Sequence, residues 1–220
     1  MSIPTLYGGC LFRSRLEANW AAFFDLLGIR WNYEPPELRA HGAKGHIPDF
    51  SILLPAGRIL ASIKPLHSFQ ELEEFGREKL EFVDWDGEWV ALGAAAPVPD
   101  SEDGNCAIGL VSQRTGPDRS AADWGRAWLG TCPNPHVSHH FSLQHDHGDR
   151  KCLSCGWNPG ALNTWSGRMD ARNGIETLWR AASNAVMWRR PMLGRPINPF
   201  ADRLPGPIWD SQGRPRWDLM

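Results

Sequence analysis

HIPDFSILLPAGRILASIKP, residues 46–65, contains two apolar runs bracketed by turn formers. Asp49 to Leu54 lies between Pro48 and Pro55, and Arg58 to Lys64 lies between Gly57 and Pro65. Short runs rich in Ile and Leu with Pro and Gly at their ends predict strands. The Pro-Ala-Gly between them predicts an antiparallel hairpin. A hairpin sets its outer ends side by side. Asp49, which opens the first strand, and Lys64, which closes the second, are therefore expected to share one end of a sheet.

Upstream, RSRLEANWAAFFDLLG (13–28) repeats apolar residues at three and four spacing and stops at Gly28, which predicts an amphipathic helix. Ile29 to Glu34 precedes Pro35-Pro36 and reads as another strand. Downstream, residues 68–83 place Phe69, Leu72, Phe75, Leu80 and Phe82 among many Glu and predict a second helix. Trp89–Leu92 and residues 107–112 are further strands, separated by the turn-rich loop PVPDSEDGN at 97–105. Helix, three strands, helix, two strands predicts an α/β sheet with helices packed on it. From residue 113 the composition shifts to Gly, Pro, His, Trp and Cys with little periodicity. A last amphipathic helix is expected over 174–190, followed by a tail with six Pro that reads as extended or partly disordered.

Bulk properties narrow the function classes. No run of 18 apolar residues occurs, so no membrane span is expected. Five Cys, an odd number, argue against a disulfide framework and for a reducing compartment. With no basic and apolar leader visible, a cytoplasmic location is expected. Twelve Trp are expected mostly in the core. The net charge of −2 hides a gradient: residues 1–110 carry nine Lys+Arg against sixteen Asp+Glu, whereas 168–220 carry nine Arg, no Lys and five acids. Such a tail is either a solvated surface or a site for phosphate or carboxylate, which guanidinium forks bind bidentately.

A carboxylate and an ammonium at one sheet end have a chemical use. The carboxylate holds Mg²⁺ against a scissile phosphate, and the ammonium steadies the attacking water or the developing charge. Glu17, one turn into the first helix, is a candidate second carboxylate. Taken together, FRSRLEANWAAFFDLLGIRWNYEPPEL (12–38), GHIPDFSILLP (45–55) and ILASIKP (59–65) resemble PD-(D/E)XK nucleases of phages and actinobacterial mobile elements. Those proteins carry a similar RSRLEA-W helix, W-YEP strand, PDF-LP strand and E-x-K strand in the same order. The resemblance implies a metal-dependent phosphodiesterase acting on nucleic acid. It puts Glu17 on the family's helix glutamate, Asp49 on its metal-binding aspartate and Lys64 on its lysine.

One position departs, because Ser62 stands where the resemblance calls for an acid. Either the site is degenerate and the fold serves binding, or the acid has moved to the second helix, as in some restriction endonucleases of the superfamily. Glu78, fourteen positions after Lys64, is the leading candidate for that acid, and it shares a helix face with Glu71 and Glu74. A site working with fewer acids is the third alternative. His67 and Gln70 lie nearby and are expected at the surface.

A second constellation suits zinc. Cys152-Leu-Ser-Cys155-Gly is a knuckle, and Cys132 and His136 precede it, with fifteen residues between His136 and Cys152. Two ligands, a gap of this size and two more ligands match a structural zinc ribbon. His139, His140, His145 or His147 can stand in for His136, and a catalytic zinc with Asp146 or Asp149 as base is the less favoured reading. Cys10 and Cys106 read as core thiols. Trp124, Trp128, Trp157 and Trp165 flank the segment, either as a miniature core or as stacking platforms for unpaired bases. The expected molecule is thus an α/β PD-(D/E)XK (restriction-endonuclease-like) core at 1–112, a zinc-ribbon segment at 113–167, and a C-terminal helix with an Arg- and Pro-rich tail at 168–220. Its expected activity is Mg²⁺- or Mn²⁺-dependent DNA cleavage by Glu17, Asp49, Lys64 and Glu78, with structural Zn²⁺, DNA as partner and a homodimer or larger assembly as an open option. The competing expectation is a non-catalytic nucleic-acid-binding or assembly protein.

Overall fold

The computed structural model describes residues 2–35, 48–54, 56–79, 88–94, 98–99, 106–115, 121–130, 142–145, 152, 171–187, 208–209 and 215–216. At several element ends, Glu78 included, the description is of the backbone alone. The chain divides into two units, Met1–Arg30 with Thr177–Met220, and Trp31–Glu176.

The first unit opens with a hairpin that periodicity did not reveal, β1 (Thr5–Tyr7) and β2 (Cys10–Phe12). Its two-residue turn is Gly8-Gly9, both at positive φ (56° and 80°), the backbone that a turn matched to strand twist requires. Helix α1 (Arg15–Leu26) follows. Ser14 caps it by accepting from the Glu17 N–H, and the Glu17 carboxylate reaches back to accept from the Arg13 N–H at 3.1 Å, a reciprocal box at the first turn. At the other end Gly28 (φ 69°) donates to the Asp25 carbonyl and Ile29 to the Phe24 carbonyl, which closes the helix as a Schellman motif. Residues Glu17 to Phe24 are buried on all sides of the helix, beyond the single apolar stripe expected. Ala18, Ala21 and Ala22 fill the faces between the aromatic positions. Trp20 stacks edge-on with Phe23 and with Trp179 of helix α3 (Ala171–Ala185), the latter at 4.7 Å between ring centres.

The second unit is built on a mixed sheet of eight strands among the described residues. Its order is β10–β9–β8–β6–β5–β4–β3, with β7 (Val98–Pro99) on β8. β3 is Arg30–Tyr33, β4 Phe50–Leu54, β5 Gly57–Ile63 and β6 Trp89–Leu92. β8 is Cys106–Thr115, β9 Ala121–Gly130 and β10 Ser142–His145. β4 and β5 form the expected antiparallel hairpin, with Phe50 opposite Ala61 and Leu54 opposite Gly57. β5 and β6 run parallel, and helix α2 (Phe69–Lys79) makes the crossover that a parallel pair needs.

α2 lies on one face of this sheet, where Leu72 packs with Ala91 and Leu110, flanked by Leu66 and Phe69. One row crosses that face in register: Ser62 beside Ala91, Ala91 beside Leu110, Leu110 beside Arg126. Gly109 sits at a register shift in β8, and a Cβ there would lie 2.1 Å from the Ala91 carbonyl oxygen. The residue is glycine because another backbone occupies the space of its side chain.

The change of sequence character at residue 113 falls inside β8, and the described part of 113–167 continues the sheet through β9 and β10. Within the tail, Ile208–Trp209 and Pro215–Arg216 pair as two short strands, β11 and β12. Of the described tryptophans, Trp20, Trp89 and Trp179 are buried while Trp31 and Trp128 are half-buried. Among the described residues no helix is long and apolar enough to cross a membrane.

Candidate active site

Asp49 immediately precedes β4 and Lys64 immediately follows β5, so the hairpin carries both to the same end of neighbouring strands. The Asp49 backbone is fixed on both sides, its N–H donating to Ala61 at 2.9 Å and its carbonyl accepting from Glu34 at 2.8 Å. Asp49 is 2% exposed, and its carboxylate accepts the Ile63 N–H at 2.7 Å. Burying a carboxylate is costly unless hydrogen bonds compensate, and a bond from a backbone N–H to a charged acceptor contributes about 1.5–3 kcal/mol. The same bond fixes the plane of the carboxylate.

Strand alternation puts Asp49, Ser51, Ser62 and Lys64 on the face that carries α2. Lys64 is half-buried, its N–H donates to the Leu92 carbonyl at 2.9 Å, and its ammonium lies 5.2 Å over the Phe75 ring of α2. That cation–π contact holds the charge near the strand end at which Asp49 sits. Ser62 is fully buried and its hydroxyl accepts from the Trp89 indole N–H at 3.0 Å. Where the resemblance calls for an acid, this chain thus has a small hydroxyl built into the core. Ser51 is fully buried, and among the described residues its Oγ has no hydrogen-bond partner.

The other expected residues fall in different places. Glu17 belongs to the first unit, and its carboxylate caps α1, with Arg13 Nε also 4.0 Å away. Glu78 follows Phe75 by one turn of α2, and its side chain lies outside the described residues. Its face-mates are exposed and locally engaged. Glu71 accepts from the His67 and Ser68 N–H groups at 2.8 and 3.1 Å, and Glu74 accepts from Gln70 at 3.1 Å. Those two N–H bonds hold the Glu71 carboxyl below its usual range, His67 contributing most. His67 and Gln70 are exposed, as expected.

Of the zinc candidates, Cys152 is fully buried, while Cys132, His136 and Cys155 lie outside the described residues. Among the described residues no group of three or more His, Cys, Asp or Glu is placed to hold a metal ion. Cys106 is a core residue, but Cys10 is only half-buried, its thiol pushed up by burial and then by the charge of Glu17.

Two features escaped sequence reasoning. Glu34, beside Asp49 through the backbone, adopts a left-handed conformation (φ 45°) that a non-glycine residue rarely takes. The Trp89–Ser62 bond depends on the parallel pairing of β5 with β6. A helix between two strand runs was the available signal for it. Compared with known proteins, the chain matches no family model, no curated protein and no solved structure.

Proposed function

We propose that the chain is a metal-dependent endonuclease that hydrolyses phosphodiester bonds in DNA, and that its α/β sheet is a PD-(D/E)XK core. One observation carries this reading: a buried carboxylate, oriented by the Ile63 N–H, at the strand end adjoining Lys64. The residues suit a hard cation, which prefers carboxylate oxygen. When bound, Mg²⁺ or Mn²⁺ supplies Lewis-acid charge at the phosphate and lowers the pKa of its water.

Asp49 holds that cation, and Glu78 and Glu17 are the proposed further carboxylates. Lys64 steadies the nucleophile or the charge that develops on the phosphate. Cys132, His136, Cys152 and Cys155 are proposed to hold a structural zinc, and pairing of two copies serves cutting of both strands. The odd cysteine count supports a reducing, cytoplasmic setting.

A second reading has its own observation. Ser62, sealed in the core by Trp89, favours a degenerate site on a nucleic-acid-binding or assembly protein. Cleavage of labelled single- and double-stranded DNA with Mg²⁺ or Mn²⁺ separates the two. Activity lost in both Asp49→Ala and Glu78→Ala supports the nuclease with its acid on α2. Salt-sensitive binding without cleavage by the wild type, under either metal, selects the binder.

A further inference from the structure

Arg126 of β9 stands apart from the other described cations of the sheet. It is exposed, and its guanidinium carbon lies 5.4 Å over the Phe69 ring and 5.9 Å over the Trp128 ring. Both rings are half-buried, so part of each is held by the surrounding structure. Among the described residues no carboxylate pairs with Arg126. The nearest turn of α2 has its acid, Glu71, engaged with the His67 and Ser68 N–H groups. A guanidinium presents five N–H donors in a planar fork. Here the guanidinium lies over two aromatic rings, and among the described residues its donors meet no carboxylate acceptor. Such an arrangement is organised in advance for an oxyanion.

The position tells which oxyanion. Arg126 ends the row that begins at Ser62, on the face of the sheet that also bears Asp49 and Lys64. β9 lies four strands from β4, which Asp49 adjoins, in the sheet order. At about 4.8 Å per strand the separation is about 19 Å, and at about 3.4 Å of rise per nucleotide it spans about six nucleotides. We infer that Arg126, seated on Phe69 and Trp128, clamps a backbone phosphate of a nucleic acid about six nucleotides from the bond held at Asp49. The clamp rests on the proposed nucleic-acid substrate but is independent of whether Ser62 permits catalysis.

The test is fluorescence anisotropy of short labelled single-stranded and duplex oligodeoxynucleotides, with Ca²⁺ in place of Mg²⁺, across a salt series. Wild type is compared with Arg126→Met, which keeps the apolar stem, and with Arg126→Lys. Melting temperatures and Mg²⁺-dependent cleavage are recorded on the same samples. A clamp predicts that Arg126→Met binds about tenfold more weakly, the contribution of one charge-assisted contact. Its slope of log affinity against log salt should fall by about 0.7 on single strands, with the melting temperature kept. Arg126→Lys retains the slope and recovers part of the affinity.

Equal binding and an equal slope in wild type and Arg126→Met overturn the clamp. A lowered melting temperature would then mark Arg126 as a brace between α2 and β9. If cleavage persists in that case, the nuclease reading stands without the clamp. If Arg126→Met loses binding while the wild type never cleaves, the clamp stands and the catalytic reading fails. A wild type that neither binds nor cleaves removes both.

Discussion

At the scale of single residues, hydrogen bonds decide which polar groups are available for chemistry. Asp49 uses one carboxylate oxygen to accept from the Ile63 N–H at a buried position. Ser62 is committed to Trp89. Ser62→Ala leaves a buried indole N–H without that acceptor and is expected to cost about 1–2 kcal/mol, read from urea unfolding. An unchanged midpoint would show that the bond contributes nothing. Glu71 makes a pH prediction. Its carboxyl is held below the usual range by the His67 and Ser68 N–H groups, so its folded pKa lies beneath its unfolded one. The contribution is therefore complete above the unfolded value and is lost as pH falls through the folded value. Relative to Glu71→Gln, the wild type should lose its advantage as pH falls below the ordinary glutamate range, measured by thermal melts from neutral to acid. An advantage that persists at the acid end contradicts the assignment.

At the scale of elements, α2 joins three parts of the sheet. Phe69 meets Arg126, Leu72 meets Ala91 and Leu110, and Phe75 meets Lys64. Its partner strand β8 approaches β6 so closely that Gly109 has no room for a methyl group. Gly109→Ala forces backbone apart and should destabilise by about 1–3 kcal/mol, a fall of about 2–4 °C in melting temperature for each kcal/mol at this chain length. A variant that melts with the wild type would refute the close approach. The hairpin of β4 and β5 was legible from its Pro and Gly brackets, and α1 from its apolar spacing and Gly28. The long β8–β9 hairpin was not, because Ala, Gly and polar residues dominate those strands and hide the alternation that marks a half-buried strand. Asp49 and Lys64 were legible as a pair because hairpin geometry alone brings strand ends together. Arg126 was not, because only the register across three strand pairs carries it to that face.

At the scale of the whole molecule, the residues proposed for chemistry are divided between two units. Glu17 caps a helix of the first, and Asp49, Lys64, Glu78 and Cys152 belong to the second. The proposed zinc predicts one equivalent per chain by elemental analysis, lost in Cys152→Ala, with a lower melting temperature after chelation. Metal-free protein of unchanged stability would exclude the ribbon. The nuclease reading rests most heavily on the charge at Asp49, and Asp49→Asn isolates it. The amide oxygen can still accept from Ile63, so the hairpin is preserved while the cation ligand is weakened. Cleavage of labelled DNA with Mn²⁺ should fall by about a hundredfold or more, in a variant whose circular dichroism and melting profile match the wild type. Undiminished metal-dependent cleavage by folded Asp49→Asn would contradict a metal site at that strand end.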